Sequence, residues 1–179
     1  PPAIVSVFLG DELNAIIQSI IDGTNYEQEE KVNLRIGVDV MPAIPKDTTD
    51  RNRTSPLAFT GNKFEFRMPG SGSSVSGPNV ILNTIVAEAL CQFADELEQA
   101  ECFETGLAEL IKRNIRDHKR IIFNGNNYSQ EWVEEAERRG LPNLPTMVET
   151  IPYLTTDKTV NLFEKFGVFT RAELESRAE

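Results

Sequence analysis

Cysteine is almost missing from these 179 residues: only Cys91 and Cys102 occur, so the chain does not read as a disulfide scaffold and both thiols are expected to be reduced. Histidine is scarcer still. The single His118 lies in Arg113-Asn114-Ile115-Arg116-Asp117-His118-Lys119-Arg120, without the acidic or histidine neighbours at matching spacing that a metal ligand brings. A surface residue at a helix end is the expected reading. Long apolar runs are also lacking. None approaches the roughly 20 residues needed to cross a bilayer, and no basic flank leads into a hydrophobic stretch with a cleavage site. No membrane partner is expected, and the chain reads as cytoplasmic.

Positive charge is in deficit as well. With 18 Lys and Arg against 28 Asp and Glu, the formal net charge is −10, and such an average field repels phosphate backbones. Nucleic acid is therefore not an expected partner. The basic run at 112–120 has no interleaved aromatics and lies between acidic flanks, as a solvated helix end does. A P-loop is missing too: the stretch Pro69-Gly70-Ser71-Gly72-Ser73-Ser74 has no Gly-Lys-Ser/Thr, and valine at 75 prevents a Gly-x-Gly-x-x-Gly pattern. A strand-to-helix connection is the better account of it. The triplets Asn52-Arg53-Thr54 and Asn127-Tyr128-Ser129 match a glycosylation pattern that matters only in a secreted protein, and both are discounted.

What is present suffices for one real core, at 40% hydrophobic residues. Residues 3–9 are apolar enough for a buried strand. A helix follows over 11–21, with Leu13, Ile16, Ile17, Ile20 and Ile21 at helical spacing and Asp11 as its natural cap. Leu34, Ile36, Val38 and Val40 alternate as in a strand, and 41–53 reads as a loop. A long amphipathic helix is predicted over 78–99, with an apolar stripe through Leu82, Ile85, Val86, Leu90, Phe93 and Leu97 wide enough to pack against a sheet. A second helix ends near Ile122-Phe123, before the break Asn124-Gly125-Asn126-Asn127. Short helices are predicted from Ser129 to Arg139, after Thr146 with Glu149, and after Thr170 with Glu173; the last two pairs have capping-box spacing. The fold class is α+β: a few antiparallel strands covered by the helix at 78–99, followed by a mainly helical region. Both ends read as lying inside a larger structure, since the chain opens on Pro1-Pro2 before an apolar run and closes in helical composition without a stop signal.

The chemistry concentrates in Lys63-Phe64-Glu65-Phe66-Arg67-Met68. Strand alternation puts Phe64, Phe66 and Met68 on one face, expected to turn inward, and throws Lys63, Glu65 and Arg67 together on the other. Neighbours on that face lie roughly 6–7 Å apart, a spacing read as close enough to share a ligand but too wide for simple pairing. Glu65 could supply a hard oxygen to Mg²⁺ or Mn²⁺ while Lys63 and Arg67 hold phosphate or carboxylate oxygens on either side. Read alone, Lys-x-Glu-x-Arg is what many half-exposed strands look like, and the solvated, ion-paired face is the better account of it.

Upstream stands Asn52-Arg53-Thr54-Ser55-Pro56, followed by Leu57-Ala58-Phe59-Thr60-Gly61-Asn62 leading into the strand. Here the sequence resembles the glutamine synthetase family, whose members carry an Asn-Arg-Ser/Thr element shortly before a strand of the form basic-x-Glu-x-Arg. The wording is specifically similar to the type III branch. The resemblance continues through Gly77-Pro78-Asn79, Asn124-Gly125-Asn126-Asn127-Tyr128-Ser129 and Phe169-Thr170, so that it covers nearly the whole chain.

The resemblance implies a metal-ligand role for Glu65, and for Arg67 a role in binding the transferred phosphoryl group or the side-chain carboxylate of glutamate. It implies that Arg53 stabilises charge on the phosphoryl group and that Lys63 faces the nucleotide phosphates. It further implies ATP with Mg²⁺ or Mn²⁺ as cofactors, glutamate and ammonia as substrates, and a homo-oligomeric ring. Residues 1–99 would belong to the catalytic α+β domain and 100–179 to its helical C-terminal extension. No arginine lies in 55–62, where type I enzymes carry an additional one. The family's other metal-binding residues match nothing in this chain. Two rivals stay open: another metal-dependent phosphoryl-transfer enzyme of guanidino-kinase type, and a non-catalytic helical assembly module in which 63–67 is only an exposed strand.

Overall fold

The last four helices of the chain each begin at a Ser or Thr whose side chain caps the first turn. A computed structural model describes residues 3–26 and 53–179, together with the backbone of 33–34 and 44–45. In chain order the described elements are β1 (Val7–Phe8), α1 (Asp11–Asp22), β2 (Asn33–Leu34), β3 (Ile44–Pro45), β4 (Leu57–Phe59), β5 (Phe64–Phe66), α2 (Ser76–Glu98), α3 (Phe103–His118), a 3₁₀ turn (Lys119–Ile121), α4 (Gln130–Arg138), α5 (Met147–Leu154), α6 (Asp157–Lys165) and α7 (Arg171–Ala178). The class is α+β, as expected. The rest of the strand predicted through Ile36, Val38 and Val40, and most of the loop predicted over 41–53, lie outside the described residues. Two compact units result, Pro1–Met68 with Lys112–Pro142 and Pro69–Ile111 with Asn143–Glu179.

The first unit holds the sheet, whose strand order is β1-β4-β5. It is mixed rather than wholly antiparallel: β4 and β5 form an antiparallel hairpin, whereas β1 joins β4 in parallel, Val7 beside Leu57 and Phe8 beside Ala58. A parallel neighbour drawn from some 50 residues upstream leaves no mark in local sequence. Beyond β1, Phe123 donates its N–H to the Val7 carbonyl at 3.0 Å. The same segment packs into the core, where Ile4, Trp132, Ala136 and Leu141 are buried with Ile121, Phe123 and Val133 around them. The Trp132 and Phe123 rings stack at 3.9 Å. Helix α4 supplies that face because Trp132, Val133 and Ala136 fall at i, i+1 and i+4, on its one apolar side. Ser129 caps it, accepting from the Trp132 N–H at 3.3 Å. At α1 the cap is Gly10, with φ 80; Asp11 stands one place inside, where its charge complements the helix N-terminus.

In the second unit the buried centre is Val160, Phe163 and Leu174, flanked by Val168 and Phe169. The two capping boxes form as the spacing predicts, Thr146 with Glu149 and Thr170 with Glu173. Helix α6 was not among the sequence predictions. Its cap Thr156 accepts from the Thr159 N–H at 3.4 Å, but residue 159 is a threonine and completes no capping box, so the sequence carries only half the signal. Helix α2 is tied to α6 by Lys165 Nζ on Glu88 Oε2 at 2.5 Å. The apolar stripe expected to cover a sheet is largely open on α2: Ile85, Val86 and Leu90 are exposed, and Thr84 is the buried residue of the helix. Within the first unit, α4 packs on Ile4, three residues before β1. Both cysteines are free, Cys91 half-buried and Cys102 exposed.

Candidate functional site

The β4–β5 hairpin presents the candidate site. Its tight turn is Gly61-Asn62, closed by Thr60 N–H on the Lys63 carbonyl at 2.8 Å, and Gly61 takes the positive φ, 94, that two-residue hairpin turns require. This turn sets the register Ala58 opposite Glu65 and Phe59 opposite Phe64. Cross-strand partners project to the same side of a sheet, so Glu65 shares its face with the fully buried Ala58. Arg67 N–H donates to the Pro56 carbonyl at 2.7 Å and carries the ladder one step further.

On that face the three predicted side chains converge more tightly than their spacing suggests. Arg67 donates through NH2 to Glu65 Oε2 at 3.1 Å, and Lys63 Nζ lies 3.4 Å from Glu65 Oε1. The expectation that they stand too far apart to pair is therefore corrected: long side chains bend along the strand and close the gap. The Glu65 carboxylate is neither buried among apolar groups nor turned away from Arg67. Its side chain is 39% exposed, with Lys63 at 66% and Arg67 at 18%.

The opposite face is a second correction. Phe64, Phe66 and Met68 do not turn inward; they are 56%, 37% and 60% exposed, and Phe64 is sheltered by the Phe59 ring at 5.2 Å. Alternation reports which residues share a face, but not which face is covered.

The Arg67 hydrogen bond, helped by Lys63, holds the Glu65 carboxyl below the ordinary carboxylate range. A depressed carboxylate contributes to stability above its unfolded value, and that contribution is lost as pH falls through the lowered folded value. The side chain should therefore stay ionised throughout the neutral range. A carbon-13 titration of the Glu65 carboxyl should show a midpoint below that of unpaired glutamates, and a midpoint at or above theirs would show the pairs are not formed.

Arg53 is held by other means. It is exposed, it has no ion-pair partner among the described residues, and its φ of 57 makes it their one non-glycine residue with positive φ. Such a backbone costs about 1–3 kcal/mol and persists only where the surroundings over-determine it. Here the two residues that follow are clamped. The Asn127 N–H donates to the Thr54 carbonyl at 3.1 Å, Asn127 Nδ2 donates to Ser55 Oγ at 3.2 Å, and Ser6 Oγ donates to Asn127 Oδ1 at 2.5 Å. Nearby, Asn124 Oδ1 accepts from Leu9 and Gly10 N–H at 2.9 and 3.2 Å. The run Asn124-Gly125-Asn126-Asn127 reads in sequence as a break, yet Asn127 ties Ser6, just before β1, to Thr54 and Ser55, just before β4, and Asn124 holds the residues that follow β1. Asn127 is buried and fully engaged, which removes it as a glycan acceptor.

Chemically the face offers one hard, ionised oxygen donor beside two cations. Among the described residues no group of three or more His, Cys, Asp or Glu side chains is placed to hold a metal ion, so Glu65 could be at most one ligand of a cation. Mg²⁺ commonly takes one or two carboxylates and completes its shell with water and phosphate. His118 ends α3, exposed.

Residues 106–179 match the family model of the glutamine synthetase C-terminal domain. Along the whole chain the identity is 43% with the type-3 glutamine synthetase of Dictyostelium discoideum, 40% with a glutamine synthetase of Butyrivibrio fibrisolvens and 38% with one of Bacteroides fragilis (strain YCH46). All of this chain is covered, but it spans only 25%, 26% and 26% of those relatives. Along its whole length the chain is similar to these glutamine synthetases, and its residues 106–179 match the C-terminal domain of that family. Of these relatives, the one at 43% identity is a type-3 enzyme by name, the branch that the wording around Arg53 and Glu65 resembles.

Proposed function

We propose that the chain supplies part of the ATP, metal and glutamate site of an enzyme that joins ammonia to glutamate. In that reaction the γ-carboxylate of glutamate attacks the terminal phosphorus of ATP and ADP departs. Ammonia then attacks the acyl carbon of the γ-glutamyl phosphate and phosphate leaves. The observation that carries this reading is the Glu65 carboxylate displayed between Lys63 and Arg67 on a face of β5 that reaches solvent.

Phosphoryl transfer asks the protein mainly for positive charge already in place around the equatorial oxygens. Arg67, aligned along the strand by Glu65, is suited to the transferred phosphoryl group or the side-chain carboxylate of glutamate. Lys63, at the hairpin tip, is suited to the nucleotide phosphates, and Arg53 to charge developing on the phosphoryl group. Glu65 would hold a Mg²⁺ or Mn²⁺ ion, whose charge, when bound, neutralises phosphate oxygens. The carboxylate also keeps its two cations from drifting while substrate is away.

The remaining calls belong to the same proposal. Residues 1–99 form part of the catalytic domain and 100–179 its helical extension, consistent with the family match over 106–179. The full-length protein is a cytoplasmic ring of identical subunits. One carboxylate and a quarter of the relatives' length do not make a complete site, so the purified 179-residue chain should release no phosphate from ATP in the presence of glutamate and ammonia. Turnover by it would overturn that incompleteness. In the full-length protein, ADP release that depends on ammonia separates this reaction from a guanidino-kinase type of transfer, which needs none.

A further inference from the structure

The three-residue network of Ser6, Ser55 and Asn127 is entirely buried, and its members come from distant parts of the chain, with separations of 121 and 72 residues for its two side-chain bonds. Asn127 uses both ends of its amide there, accepting from Ser6 and donating to Ser55, and adds its main-chain N–H to the Thr54 carbonyl. Two of those three bonds fall on the residues directly after Arg53, whose backbone is left-handed and whose side chain is exposed.

We propose that Asn127 is a positioning residue for Arg53: by gripping Thr54 and Ser55 it holds the left-handed turn from which the guanidinium is presented to the phosphoryl group. This rests on the reading of Arg53 as a charge-stabilising group. The asparagine amide serves both serines in this arrangement, its oxygen accepting from Ser6 and its nitrogen donating to Ser55. Aspartate keeps the acceptor and loses the donor; an apolar residue loses both of the side-chain bonds. The hairpin that bears Lys63, Glu65 and Arg67 has its own turn and ladder, so the grip of Asn127 acts first on Arg53. Asn127 itself touches no substrate, since it is buried.

The test is a double-mutant cycle in the full-length protein, following ammonia-dependent phosphate release. Asn127→Ala should lower kcat by about 10–100-fold, the scale of a small misplacement of a reacting group, with KM for ATP and glutamate within about threefold. In an Arg53→Ala background the same change should lower the residual kcat no further, because residues that act as one unit are not additive. Ser55→Ala, which deletes one hydroxyl, should give a smaller loss in the same direction that also vanishes in that background, and it decides the matter if Asn127→Ala does not fold. Losses that persist undiminished without Arg53, or a fall in Tm with kcat per active site intact, overturn the positioning role. An Arg53→Ala protein that turns over normally overturns the role of Arg53 itself and this inference with it.

Discussion

Replacing Glu65 with alanine in the full-length protein is expected to lower ammonia-dependent phosphate release by about 10²–10³-fold, the loss that follows removal of one preorganised electrostatic element from a transition state. Two effects combine. A cation loses an oxygen ligand, and Arg67 and Lys63 lose the carboxylate that aligns them at 3.1 and 3.4 Å. Glu65→Gln separates the two, since the amide oxygen still accepts from Arg67 but no longer carries charge. It should remain nearly as impaired as the alanine variant if charge on the cation is what matters. A solvated ion pair with no function contributes between nothing and about 1 kcal/mol to stability and nothing to turnover. Activity within about twofold of the unmodified protein would therefore return β5 to an ordinary strand face.

The second large effect concerns the core that carries the site. Trp132 is fully buried, stacked on Phe123, with the Arg139 guanidinium 5.4 Å above its ring. Trp132→Ala should cost about 3–5 kcal/mol, from lost burial plus the cavity left behind. Phe123 is also the residue that bonds the Val7 carbonyl, so the loss reaches β1 and, through it, β4. Trp132→Phe should be much milder. Among the described residues the indole N–H has no hydrogen-bond partner, so its removal breaks no bond within them. Thermal unfolding of the two variants in the full-length protein checks the order: a large fall in Tm for alanine and a small one for phenylalanine. Equal falls would show that packing at 132 is not what holds the unit.

The helices were legible where their signals are local. Caps at Ser129, Thr146 and Thr170 stand one residue before α4, α5 and α7, and Gly140 follows α4, because a helix end is decided within four residues of itself. What failed to be legible is non-local. The parallel pairing of β1 with β4, the packing of α4 on Ile4, and the exposure of Phe64 and Met68 all depend on what arrives from elsewhere in the chain. The candidate site divides the same way. Strand period brought Lys63, Glu65 and Arg67 to one face, and the resemblance to a family added Arg53. The distances, the ion pairs and the asparagine grip on Thr54 and Ser55 needed coordinates. Asn127 stood in plain view, but an asparagine in an Asn-Gly-Asn-Asn run reads as a turn, and nothing local distinguishes it from one buried among hydroxyls.

In the proposed reaction the Glu65 carboxylate, lodged between Lys63 and Arg67, would be a ligand for a divalent cation. Titration of the full-length protein with Mn²⁺, with free ion followed by electron paramagnetic resonance, tests it without requiring turnover. One class of sites should weaken by at least about tenfold in Glu65→Ala, since even outer-shell changes cost that much. Mn²⁺ binding in that variant with unchanged number and affinity of sites would contradict the account.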